Sequence, residues 1–309
     1  MSTFQGLVNI KKALATLNPK QVREMSERPL RIALNASSSE GYQHIEDFFL
    51  RDLSPARHRE SSYALTRGAA VGGNYDLVIY EQGLPAPPHA LLFEPHRPHH
   101  IVSRILDKHY ELGVPLARSF APFRKPFIER VISKTARDNT VFSITTALPD
   151  VIPNLIELPW AVAEFASDTA FLTMNQVRMA FLIAAASDRE IGYLEQKPEI
   201  AMVVGSAFGW RALARQLVGK IPFGGGLIAK AGIAYAGTKI LGLSLDHYYS
   251  IGFTYTRAER DRLYADAFRQ GKKVAQRILT YLRPDLAAKY AAEAAEQTLP
   301  PATLSPAQR

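Results

Sequence analysis

The spacing of apolar positions changes character near Pro126. Before it, Arg31-Ile32-Ala33-Leu34-Asn35 reads as a short buried strand and Tyr75-Asp76-Leu77-Val78-Ile79-Tyr80 as a second, ended by Gly83-Leu84-Pro85. An amphipathic helix through Ile45, Phe48, Phe49 and Leu50 follows the first strand. A helix over 99–112 and a short strand near Val114 to Ala117 follow the second. Residues 6–27 have helical spacing at Leu7, Ile10, Leu14 and Leu17, are interrupted at Asn18-Pro19, and resume through Val22 and Met25. The segment 29–120 therefore alternates β and α.

Beyond Pro126 helical periods take over. Phe127 to Arg137 is amphipathic and basic. Asp150 and Pro153 open a helix kinked at Pro159, Thr173 and Gln176 form a capping-box pattern, and Pro198 opens a helix that Gly219 closes. Arg257 to Leu282 is a long basic helix with Leu263, Ala267, Phe268, Val274 and Ile278 as its apolar stripe. Between these lies the most telling stretch, Ile221 to Leu245. Gly224, Gly225 and Gly226 lead into Ala229, Gly232 and Ala236, a ridge of small residues that lets another helix approach closely. Ile228, Ile233, Tyr235, Ile240 and Leu241 surround the ridge, which places this helix in a bundle core or a membrane hairpin.

The expected fold class is a small, degenerate P-loop-like α/β sheet domain followed by an all-α helical domain. The expected boundaries are an N-terminal helix over 1–28, the α/β domain over 29–122, the helical domain over 123–285 and a partly disordered tail over 286–309.

Charge refines this division. Residues 139–256 hold 8 Lys/Arg and 9 Asp/Glu, leaving 29 and 20 for the flanks, so the flanks carry the whole excess of +8. The excess forms no long run, and nucleic acid is not an expected partner. No stretch free of Asp, Glu, Lys and Arg exceeds 12 residues, which disfavours an ordinary spanning helix. The absence of cysteine excludes disulfides and thiolate chemistry. MSTFQGLVNIKK makes a poor secretory signal, so the expected location is the cytoplasm or the cytoplasmic face of the inner membrane.

The loop after the first strand invites comparison with G-x-x-x-x-G-K-[ST]. It reads Ala36-Ser37-Ser38-Ser39-Glu40-Gly41-Tyr42-Gln43, with alanine for the first glycine, tyrosine for the phosphate-binding lysine and glutamine for the magnesium-binding hydroxyl. Glu40 adds negative charge where phosphate would sit. Glu81-Gln82-Gly83 is one residue short of D-x-x-G, and no N-K-x-D follows. Neither a nucleotide cofactor nor catalytic residues are expected. His89, His96, His99 and His100 lie in a proline-rich surface loop, and no metal is expected there. The acids of the charge-poor middle, Glu164 and Asp168 among them, need pairing or solvation, and Arg178 is a candidate partner in a structural polar network.

Asn175-Gln176 with Met179, Trp210-Arg211-Ala212-Leu213-Ala214, Gly219-Lys220-Ile221-Pro222-Phe223-Gly224-Gly225-Gly226, Ala236-Gly237-Thr238 and Tyr248-Tyr249-Ser250-Ile251-Gly252 together resemble the helical domain of unknown function 697. That domain is often joined to Era-like GTPase domains and occurs in inner-membrane proteins of the YcjF kind. The resemblance runs from Phe127 to Gly252 and implies a helical domain with membrane association and no activity of its own. The preceding segment resembles a GTPase domain in layout alone.

The expected protein is a non-enzymatic pseudo-GTPase-like scaffold. Its helical module docks on a membrane surface or a protein partner, with homo-oligomers allowed, through Gly225, Ala229, Gly232, Ala236, Lys272 and Lys273. An active nucleotide-dependent membrane GTPase and a small-molecule or ion carrier using the acids of the middle are the alternatives.

Overall fold

The computed structural model describes residues 3–69, 73–148, 168–206 and 226–287. The chain divides into two compact units. One comprises Pro19–Arg130 with Ala184–Ile191, the other Met1–Asn18, Val131–Ile183 and Gly192–Arg309. The protein is predominantly helical with a small sheet confined to the first of these.

In the α/β unit, α2 (Pro19–Glu27) precedes β1 (Ile32–Asn35), α3 (Ser39–Leu50), α4 (Pro55–Ser62) and β2 (Leu65–Arg67). Then come β3 (Leu77–Glu81), β4 (Leu91–Phe93), α5 (His99–Lys108), a 3₁₀ turn (Tyr110–Leu112), α6 (Gly113–Ser119) and the start of α7 (Ala121–Thr145). The four strands are all parallel in the order β2-β1-β3-β4, with Ile32 beside both Leu65 and Leu77, and Ile79 beside Leu91. A central parallel strand must be apolar on both faces, and Ile32, Ala33 and Leu34 are all fully buried. Phe49 from α3 packs edge-on against Phe120 at 5.2 Å and near Phe123 at 5.5 Å, closing one side of this core. The short strand expected at Val114 to Ala117 is instead α6. Those four residues are buried as a block, and a buried apolar run of four fits helix and strand equally well by pattern.

In the helical unit, α1 (Thr3–Ala15) and α2 are separate helices assigned to different units, not one interrupted helix. The unit also holds the rest of α7, most of α8 (Asp168–Ala186), a helical stretch over 197–206 that we call α9, α10 (Gly226–Ile251) and α11 (Arg257–Leu282). Phe142 of α7 stacks on Phe171 of α8 with centroids 3.9 Å apart, and Ala13 of α1 and Met174 join that cluster. α8 does not start at Thr173. That residue is fully buried inside the helix, and Gln176 turns its amide toward Thr238. One window of α8, Thr169–Ala186, is apolar enough to cross a membrane, but 83% of it is buried within the protein.

The helices α10 and α11 form an antiparallel hairpin and share the largest interface of this unit. Ile233, Ala236 and Ile240 meet Tyr264, Ala267 and Phe268, while Ile228 and Ala231 meet Ala275 and Leu279. At the crossing, a Cβ on Gly271 would lie 2.8 Å from the carbonyl oxygen of Gly232 and 2.9 Å from Cβ of Tyr235. The two backbones thus touch through a pair of glycines. The buried seam of α11 is Tyr264, Ala267, Phe268, Gly271, Ala275 and Leu279; Ala267 and Phe268 lie in it as the sequence stripe has them, whereas Leu263, Val274 and Ile278 are only partly buried beside Tyr264, Ala275 and Leu279.

Candidate functional site: a self-filled anion loop

β1 leads on to β2 on one side and β3 leads on to β4 on the other, so the connections from the carboxyl ends of β1 and β3 diverge between these two strands. In parallel α/β sheets that divergence opens a crevice where ligands bind. The loop 36–41 sits at this point. Ser38 caps α3 by accepting the Gly41 N–H at 3.1 Å, which makes the helix start sharply and leaves Ser37 just outside it.

The crevice is occupied by the protein itself. Glu81, the last residue of β3, places its Oε2 2.9 Å from the Ser37 N–H and 2.7 Å from the Ser37 hydroxyl, both of which donate to it. Its carboxylate also lies against Gly41, where an added Cβ would come within 2.5 Å of Oε1. The backbone and side-chain hydrogen bonds from Ser37 hold the Glu81 carboxyl below its ordinary range, with a smaller contribution from the charge of His44. A carboxylate therefore takes the donors that an anionic ligand would need. Of the loop residues named from sequence, Ser37 and Gly41 are brought to this contact. Ser38 is spent on the cap, and the hydrogen bonds to Glu81 come from Ser37.

The opposite bias, an excess of guanidinium groups, surrounds the 184–191 segment of the same unit. Asp188, at φ 57°, receives Arg57 through both carboxylate oxygens, with Nε 2.7 Å from Oδ2 and Nη2 on Oδ1. Arg118 Nε stands 3.5 Å from the same Oδ1. Arg124 donates to Ala186 O at 3.0 Å and Arg23 to Ile191 O. Burial pulls the Arg124 guanidinium below its ordinary value and Arg57 repels it further, while Asp188 opposes both. Arg124 thus takes a carbonyl at the end of α8 and Arg23 one beyond it, while Arg57 and Arg118 pair with the Asp188 carboxylate in the turn, a structural role that explains the four without a ligand.

Most of the polar network expected from sequence falls outside what the structure describes. Glu164 lies outside the described residues, Asp168 opens α8 without a described side chain, and Arg178 is half-exposed with no ion pair among the described residues. The network that does form joins amides and a hydroxyl. Asn139 Nδ2 donates to Thr238 Oγ1 at 2.9 Å, Gln176 Nε2 donates to the same oxygen at 3.0 Å, and Asn175 Nδ2 donates to Asn139 Oδ1 at 2.9 Å. Thr238 passes its own proton to Ala234 O at 2.8 Å, so these buried groups satisfy one another and fix the register of α7, α8 and α10.

Among the histidines, His99 faces Arg51 at 3.3 Å and packs edge-on against Phe48, and His100 lies 3.8 Å from Glu94. Among the described residues no group of three His, Asp or Glu could hold a metal ion.

The docking residues named from sequence separate into two kinds. Ala229, Gly232 and Ala236 are buried, and Gly232 and Ala236 face α11. Gly225 lies outside the described residues. Lys272 rests its stem beside Gly232 and its Nζ 5.5 Å from the Phe268 ring, whereas Lys273 is exposed. Arg262, Arg269, Lys273 and Arg277 share the exposed face of α11 at spacings of seven, four and four, with two acids on the same face, Glu259 in the first turn and Asp266, which pairs with Arg269. No family model, curated protein or solved structure matches the chain.

Proposed function

We propose that the chain is a non-enzymatic, pseudo-GTPase-like protein whose degenerate P-loop-like module carries no nucleotide and whose helical module docks peripherally on an anionic membrane surface. The observation that carries this reading is the Glu81 carboxylate bound at Ser37. A phosphate brought to that position meets a fixed negative charge. At an effective dielectric near 20, unit charges about 4 Å apart repel by roughly 4 kcal/mol, enough to cost about a thousandfold in affinity. The loop also lacks the lysine and hydroxyl that would repay it, since Tyr42 and Gln43 stand there. The basic face of α11 then supports docking on an acidic surface.

The test is direct. Purified full-length chain should show no GTP or ATP hydrolysis above background and no thermal shift with millimolar nucleotide and magnesium, because a ligand that binds only the folded state must raise its melting temperature. A saturable shift in the unsubstituted chain would contradict the reading and favour an active nucleotide-dependent protein.

A further inference from the structure

We propose that the turn between α10 and α11 is a membrane anchor, with Tyr248, Ile251 and Phe253 entering the interfacial layer of an anionic bilayer; this rests on the docking reading above and names the part that makes the apolar contact. Surface turns ordinarily carry polar residues. Here three large apolar side chains fall within six positions and stand 43%, 56% and 74% exposed. Isolated exposed apolar residues are unremarkable, but a cluster formed by the last turn of α10 and the residues just after it marks a contact surface.

The turn is built to hold them outward. α10 ends with Gly252 at φ 81°, its N–H donating to Tyr248 O at 2.8 Å, a conformation that suits glycine. α11 begins with a complete capping box between Thr256 and Glu259. Across the base of the turn, His247 stacks on Tyr255 with centroids 4.0 Å apart. Both flanks are therefore fixed, and the apolar tip does not fold back onto the hairpin.

Charge selects the occupant. The exposed face of α11 that leads away from the tip carries Arg262, Arg269, Lys273 and Arg277 against Glu259, which is held in the capping box, and Asp266. A second copy of the chain would bring the same cations to this face, whereas acidic lipid headgroups complement it. Aromatic and aliphatic side chains beside basic ones are the composition of helices that lie at a bilayer interface.

The chain contains no cysteine, so Phe253→Cys and, as a control, Leu194→Cys each provide a unique attachment site for an environment-sensitive dye. Leu194 belongs to the same unit and is 82% exposed. With vesicles of phosphatidylserine and phosphatidylcholine, the dye at 253 should shift to the blue and become protected from aqueous iodide, and the dye at 194 should do neither. The pair Ile251→Ser with Phe253→Ser should weaken vesicle partitioning by about tenfold or more while changing the melting temperature little, since more than half of each side chain is already in water. If the chain sediments with vesicles while the dye at 253 stays in water, the anchor is wrong and the docking reading stands. If the chain does not sediment at all, the docking reading fails and the anchor with it. A blue shift that follows protein concentration without lipid would identify a second copy as the occupant and overturn the lipid assignment.

Discussion

Replacing Gly271 by leucine should lower stability by about 3 kcal/mol, which for a unit of this size corresponds to a fall of roughly 6–12 °C in Tm. The size of the effect follows from what the new side chain meets. Its first carbon would stand 2.8 Å from a backbone oxygen and 3.1 Å from the Cα of Gly232, and a helix backbone cannot step aside as a side-chain end can. Gly232→Ala should cost less, because its Cβ meets Lys272 Cγ and Phe268 Cε2 at 3.2 Å, atoms that can yield by a few tenths of an ångström. Gly205→Leu is the matched control. Among the described residues nothing lies within 4 Å of a Cβ at that position, and leucine has the better helix propensity. Thermal melts of the three variants check the ordering, and equal losses at 271 and 205 would show that α10 and α11 do not meet at their glycines.

Reversing Arg269, Lys273 and Arg277 to glutamate together should weaken binding to anionic vesicles by at least about 100-fold, measured by co-sedimentation. Each cation near an acidic bilayer contributes up to about 1 kcal/mol, so losing three removes roughly 3 kcal/mol before any new repulsion is counted. These positions are exposed, and the variant should melt within about 0.5 kcal/mol of the parent in stability. Lys272 is left out because its half-buried stem packs beside Gly232 and its ammonium lies over Phe268, so reversing it would disturb the hairpin as well as the surface. A triple variant that binds as tightly as the parent would remove α11 from the docking surface.

Much of the fold was legible because long periodic segments announce themselves. The helix α11 begins and ends where its pattern and charges place it, and β1 and β3 follow from apolar runs bounded by turns. The strands β2, Leu-Thr-Arg, and β4, Leu-Leu-Phe, are too short to show any period, and they are strands because β1 and β3 offer them open edges. The capping-box spacing misled at Thr173-Gln176, and the box that does form, at Thr256-Glu259, was not read from sequence. In the first pair Gln176 finds a better acceptor in Thr238, a partner 62 residues away that local spacing cannot reveal.

The loop 36–41 could be located from sequence, and its lost lysine and hydroxyl could be read there. Its occupant could not. Glu81 stood out only as a failed D-x-x-G, because its actual role depends on β3 lying next to β1, a pairing that neither strand encodes alone. Gly271 was missed for a related reason. The ridge on α10 shows as repeated small residues, but the partner needs a single glycine, and that glycine sits in a polar stretch, Gln270-Gly271-Lys272-Lys273, with the look of a solvated surface. The amide network was not read from sequence, because Asn139, Asn175, Gln176 and Thr238 satisfy one another across three helices and no local spacing shows their partners.

The most direct test of peripheral docking is co-sedimentation of the unsubstituted chain with phosphatidylserine-containing vesicles at increasing salt, followed by a carbonate wash. The Debye length falls from about 10 Å at 0.1 M salt to about 3 Å at 1 M, so binding through the face of α11 should weaken steeply across that range and carbonate should release the remainder. Apolar spanning does not depend on screening. A pellet that resists both salt and carbonate, or a chain that stays in the supernatant with anionic vesicles at low salt, would contradict the account.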